Sequence, residues 1–189
     1  LRLKALTDWL REQDLLDDGA DESAQRLAEQ LRSDKVMVAF VAEFSRGKSE
    51  LINAVFFAGY GRRIMPASAG RTTMCPTELG YDPDLPACLR LLPIETRLQP
   101  QALMDWRMAP EKWTRVDLDV NDPAQLAGAM EKVSEVLHVS QDEARALGFW
   151  HDDRPQDNPP VNAAGAVEVP RWRHALINMA HPLLRQGLV

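Results

Sequence analysis

The residues whose types and spacing could do chemistry lie at 41–50, VAEFSRGKSE. They follow the phosphate-binding pattern G-x-x-x-x-G-K-[ST] from its second glycine onward. Gly47, Lys48 and Ser49 are in place, and Ala42 stands where the first glycine belongs. Such a loop works by aiming successive backbone N–H groups into one cavity at a helix N-terminus, where the helix dipole favours anions. Gly47 lets the backbone approach phosphates closely, Lys48 neutralises charge on the β- and γ-phosphates, and the Ser49 hydroxyl ligates Mg²⁺. The methyl of Ala42 costs about 1 kcal/mol if that position needs a positive φ, and little otherwise. A formed loop is expected, with room for reduced affinity. The bland alternative is that RGKS only starts a helix.

The surrounding sequence must supply a strand before this loop and a helix after it. KVMVAFVA, from Lys35, is a short valine-rich apolar run bounded by charge and predicts a buried strand. KSELINAVFFAG predicts a helix with Leu51, Ile52, Val55 and Phe56 facing inward and Gly59 and Gly61 ending it. Upstream, Leu3, Leu6, Trp9 and Leu10 recur at helical spacing, so 2–17 is expected to be an amphipathic helix. Asp21 or Ser23 can cap a second helix to about Arg32. Both helices need a docking surface, on the following domain or on a partner.

Downstream, 62–76 is a long loop of Gly, Ser, Thr, Arg and Pro. TELGYD and CLRLLPI predict two strands joined as a hairpin by DPDLP. Residues 98–148 read as mostly helical, around Gln101–Arg107, Asp122–Leu137 and Gln141–Leu147. The polar, proline-rich 151–166 predicts an exposed loop, followed by strands in AVEVP, RHALINM and the closing GLV.

Bulk properties exclude several classes. With 189 residues, 45% of them apolar and 26% charged, the chain suits one α/β domain with a helical appendage. The net charge of −6 argues against broad binding to nucleic acid. Cys75 and Cys88 have no metal or redox spacing and read as free thiols, and the four histidines are equally scattered. Ser45 and Ser68 show no histidine–carboxylate arrangement, and the acidic LDVNDP and HDD stretches read as solvated loops. No run approaches the roughly 20 apolar residues of a membrane span, and the N-terminus lacks a signal peptide's apolar block, so a cytoplasmic protein is expected.

AEFSRGKSELINAVF followed by IMPASAGRTTMCPTELGYD resembles the start of a bacterial dynamin-family GTPase, over about 36–82. Met65-Pro66, Thr72-Thr73 and Pro76-Thr77 match that family's L-P-x-G-x-x-x-T-T-x-x-P-T segment. VEVPRWRHALINMAHPLLRQGLV is similar to the stretch leading to its D-x-P-G motif. The resemblance implies a P-loop NTPase fold with 1–33 as helices of a bundle, 34–189 as part of the GTPase domain, and a helical insertion at about 98–165. It implies GTP and Mg²⁺ as ligands, with Phe44, Ser45, Arg46, Gly47, Lys48, Ser49 and Glu50 around the nucleotide. Ser45 would help place a charge-compensating cation near the β–γ bridge, and Thr73 would be the switch threonine that holds Mg²⁺ and the attacking water beside Lys48 and Ser49. Phe44 matches a position where eukaryotic dynamins carry a water-orienting glutamine, a task an apolar ring cannot perform. Arg46 would act near phosphate charge or pair with a carboxylate at a dimer face.

No D-x-x-G follows Thr73 and no [NT]-K-x-D occurs, so base choice is not written here. The expectation is an N-terminal portion of a larger GTPase, inactive alone, that dimerises through its nucleotide face. Remodelling or tethering of the inner membrane surface would use parts outside this chain. The alternatives are a scaffold that binds GTP with little hydrolysis, and a P-loop ATPase. Trp106, Trp113 and Trp150 are expected to form the insertion's core, or alternatively a binding surface. The N-terminal helices read as helix-packing elements, or alternatively as a membrane-surface segment.

Overall fold

The computed structural model describes residues 2–13, 15, 17, 19–21, 23, 24, 35–41, 47–66 and 75–189. Among these the chain is mixed α/β. Strands β1 (Thr77–Gly80), β2 (Cys88–Pro93), β3 (Thr114–Asp117) and β6 (Trp172–Asn178) form one sheet in the order β1-β6-β2-β3. Strands β4 (Val136–Val139) and β5 (Val167–Pro170) form a second, two-stranded sheet.

The alternation of each strand divides the core. Leu79, Leu89, Leu91, Ala175 and Ile177 lie in one buried cluster with Phe56, Phe57, Leu126 and Met130. Those last four come from the Lys48–Phe56 helix, the residue after it and the Pro123–Glu131 helix. Leu92 and Leu176 belong to a different cluster with Trp106 and Trp113. The small sheet has its own core of Ile94, Ala144, Leu147, Val167 and Val169. The backbone passes from β5 to β6 through Arg171 alone, whose N–H donates to Glu135 O at 2.9 Å and whose carbonyl accepts from Ile94 N at 3.0 Å.

The expected hairpin of TELGYD and CLRLLPI does not form. β6 lies between the two strands, parallel to β1 and antiparallel to β2. The 81–87 connection closes on Asn178 instead. Its Oδ1 accepts from Asp82 N at 2.7 Å, and its Nδ2 donates to the carbonyls of Asp82, Leu85 and Pro86 at 2.9–3.2 Å. A buried side chain from a distant strand thus does the work of a hairpin's own turn.

The region 98–148 is mixed rather than mostly helical. The helices are Leu103–Arg107, Pro123–Glu131 and Gln141–Ala146, while Thr114–Asp117 pairs with β2 and Val136–Val139 pairs with β5. The helix expected to reach Leu137 leaves the α conformation after Glu131, through a 3₁₀ turn at Lys132–Ser134. Its β-branched and apolar end, VLHV, suits a strand. Its start is as expected: Asp122 accepts from Ala124 N and Gln125 N, with Pro123 in the first turn. Trp106 and Trp113 cover the main sheet, and Trp150 packs on the small one, so they are not one insertion core. The exposed 151–166 stretch is tied down by Asn158, which bonds His151 N and O at 2.7 and 3.0 Å.

The first helix is Arg2–Glu12, shorter than 2–17. Beyond its end Asp17 Oδ1 accepts from Ala20 N at 2.7 Å, where Asp21 or Ser23 is the expected cap. Leu6 and Trp9 remain 54% and 52% exposed, outside all three buried clusters. Residues 25–32 of the second expected helix lie outside the described residues.

Asn178→Ala should remove the four bonds by which its side chain holds the 81–87 connection and leave part-buried backbone groups of that connection unpaired. A loss of roughly 3 kcal/mol is expected from urea denaturation.

Candidate functional site

Gly47 opens the Lys48–Phe56 helix in the left-handed region, with φ 82° and ψ 15°. Its carbonyl accepts the first helical bond from Leu51 N at 3.0 Å. A β-carbon at Gly47 would meet nothing within 4 Å, so glycine is required for backbone conformation and not for space. Lys48 and Ser49 follow in the first turn, half-buried, and both line a cavity of about 510 Å³. Glu50 points elsewhere and forms an exposed ion pair with Arg63.

Before the loop, where a buried strand is expected, 36–38 pairs with the end of the chain. Val36 N and Val38 N donate to Gly187 O and Val189 O at 2.7 and 2.8 Å, and Val189 N donates to Val36 O at 2.9 Å. GLV is therefore its partner, through a single parallel bridge of Val36 with Leu188. The expected burial is absent: Met37 is 74% and Val41 89% exposed. A partner of three residues covers one edge of the run and none of its outward side chains. The helix after the loop also differs in its face. Phe56 is buried and Ile52 half-buried, but Leu51 is 52% exposed and Val55 lies at the surface.

Of the residues assigned to the site from sequence, Lys48 and Ser49 line the cavity and Gly47 precedes them at the helix start. Ala42, Phe44, Ser45, Arg46 and Thr73 lie outside the described residues. Met65, of the Met-Pro pair, is buried and fixed by Asn53. Asn53 Oδ1 accepts from Ile64 N and Met65 N at 3.0 and 2.8 Å, and its Nδ2 donates to Met65 O at 3.0 Å. Sequence reading passed over Asn53, although an amide on the buried side of an apolar helix is a signal that a backbone must be satisfied there.

The cavity has a charged wall that was also missed. Glu78 on β1 and His174 on β6 both line it. Arg107 clasps Glu78 with two bonds, Nη2 to Oε2 at 2.5 Å and Nη1 to Oε1 at 3.4 Å. His174 and Arg107 hold the Glu78 carboxyl down from an ordinary 4.5 to about 2, against the opposing pull of desolvation. Arg107 is the firmer hold, because His174 Nε2 stands 3.8 Å from Oε2 and has no hydrogen-bond partner. The usable signal was a glutamate and a histidine each next to an apolar residue within a short strand, TELG and WRHALIN. Cys75, at the same cavity, is buried and its thiol is pushed up to about 12 by desolvation. Cys75 and Cys88 are both free and buried.

Comparison with protein-family models, curated proteins and solved structures found no match. Among the described residues no helix is long and apolar enough to cross a membrane, and no three His, Cys, Asp or Glu side chains gather as a metal cluster.

Glu78 binds fewer protons folded than unfolded wherever its two pKa values bracket the pH. Its ion pair therefore stabilises fully above about 4.5, and that stability is lost as pH falls toward 2. Urea midpoints of Glu78→Gln should change less across this interval than those of the parent. Gly47→Ala should cost about 1 kcal/mol by the same measurement, since only the left-handed backbone resists it.

Proposed function

We propose that this chain carries the phosphate-binding part of a dynamin-like GTPase domain, which binds GTP with Mg²⁺ and, within the whole protein, hydrolyses it. The observation that supports this best is the left-handed Gly47 between a parallel-pairing segment and a helix whose first turn points Lys48 and Ser49 at a cavity. That arrangement puts a cation and a hydroxyl at a helix N-terminus on one concave surface, which is chemistry a triphosphate can use. Lys48 would hold the phosphates and Ser49 the Mg²⁺. The metal, when bound, would neutralise charge on the phosphate oxygens. Phosphoryl transfer asks the protein for positioning and electrostatics, and Lys48 supplies both. Ser45 and Thr73 enter this reading through the family resemblance, as do dimerisation across the nucleotide face and action at a membrane.

A second reading, GTP binding with little hydrolysis, is favoured by Phe44, which offers nothing to orient water. Single-turnover hydrolysis separates the two.

Fluorescent GTP and ATP analogues, titrated with Mg²⁺ into the parent and Lys48→Ala, test the proposal. In the whole protein GTP should bind preferentially, and Lys48→Ala should weaken it there by about tenfold to a hundredfold, the worth of a charge-assisted bond. Equal binding of both nucleotides favours the ATPase alternative. No binding of either at high micromolar concentration overturns a nucleotide function for the loop.

A further inference from the structure

Arg97 and Arg173 lie at the seam between the two sheets, and neither lines the cavity beside Lys48. Arg173 belongs to β6, while Arg97 sits in the 3₁₀ turn Ile94–Leu98, whose Ile94 packs in the core of the small sheet. That turn is fixed locally. The buried Thr96 donates its hydroxyl to Pro93 O at 2.6 Å, and Ile94 is fully buried. Both guanidinium groups are held at this turn by neutral partners. Arg173 donates from Nη1 to Thr96 O at 2.7 Å and from Nη2 to Gln101 O at 3.4 Å. Arg97 lies over the ring of Phe149, with Cζ 4.8 Å from its centroid. Gly148 makes room for it, since a β-carbon there would meet Arg97 Nη2 at 3.3 Å.

Carbonyls and an aromatic face hold a cation in place without cancelling its charge. Among the described residues no carboxylate forms an ion pair with either arginine, and Glu95, exposed two positions before Arg97, pairs with neither. Carboxylates are not scarce in a chain with 28 acidic and 22 basic residues. Arg107, Arg115 and Arg145 each have one. Arg97 and Arg173 instead have each other's charge nearby. Burial first, and then the charge of Arg97, push the Arg173 guanidinium below its ordinary range.

We infer that Arg97 and Arg173 form a clamp for a phosphate dianion, free or as the phosphomonoester of a small metabolite. Two neighbouring cations call for two negative charges. A phosphate brings about −1.5 to −2 with three acceptor oxygens, where a carboxylate brings a single charge. Arg97 has given none of its N–H groups to a described acceptor, and Arg173 retains those that Thr96 and Gln101 do not take. Because both guanidinium groups are positioned beforehand, little side-chain freedom is lost when the anion binds.

The test titrates inorganic phosphate, slightly above neutral pH, into the whole protein carrying Lys48→Ala, which removes the phosphate contact at the helix start. The Nε–Hε NMR signals of Arg97 and Arg173 should shift together and saturate with a common dissociation constant. Acetate at matched ionic strength should bind at least about tenfold more weakly, and adding Arg97→Gln should weaken phosphate by at least about tenfold, read at Arg173. Arg97 is exposed and gives the fold no hydrogen bond, so Arg97→Gln should leave the amide spectrum in place. The common saturation and the acetate comparison need no variant at the clamp. Tighter binding of glycerol phosphate assigns a phosphomonoester, and equal or weaker binding assigns free phosphate. No saturable shift, unequal dissociation constants at the two arginines, equal binding of acetate, or indifference to Arg97→Gln would overturn the clamp. Because Lys48 is replaced throughout, such a failure leaves the nucleotide reading where it stood.

Discussion

β6 accepts a hydrogen-bonded neighbour on each side, β1 in parallel and β2 in antiparallel, and the rest of the molecule is arranged around that fact. Because it is paired on both edges, its side chains must be satisfied on both faces. Ala175 and Ile177 serve one core, and Leu176 serves the other. Because β5 leads into it through one residue, the small sheet is anchored to the large one without a connecting loop. Its last residue, Asn178, also closes the connection between the two strands it separates. A strand from late in the chain therefore determines the geometry of residues nearly a hundred positions earlier.

That is the main reason sequence reading went only part of the way. Local signals served well where the cause is local. Gly47 before KSELIN, Asp122-Pro123 at a helix start and the alternating VEVP and RHALIN strands are all visible in the order of residues. The hairpin expectation failed because DPDLP has the composition of a turn, while the partner that decides its strands' pairing lies far along the chain. Val136 and Leu137 suit the end of a helix or the start of a strand equally in so short an apolar run, and Val167–Pro170 alongside settles it. A continuous apolar run at 35–41 and a helical period at 48–56 mark residues suited to burial, but neither says whether anything covers them.

At the candidate site, the residues that carry the phosphate pattern were legible and their neighbours were not. Lys48 and Ser49 belong to a contiguous motif. Glu78, Arg107 and His174 come from three separate elements and meet only in the folded sheet. Their effect is to place a carboxylate that is ionised at neutral pH, held by an arginine, in the same cavity as a lysine. Charged and apolar side chains thus share the lining of one cavity.

Asn53 makes the helix that begins at Lys48 and the backbone at 64–65 behave mechanically as one part. It lies about 7.5 Å along the helix axis from Lys48, by the rise per residue. Any tilt imposed at the Lys48 end is then transmitted by a stiff rod and three hydrogen bonds to Met65, immediately before the segment that bears Thr72 and Thr73. The two halves of the sequence pattern, separated by a score of residues along the chain, are linked through a single amide.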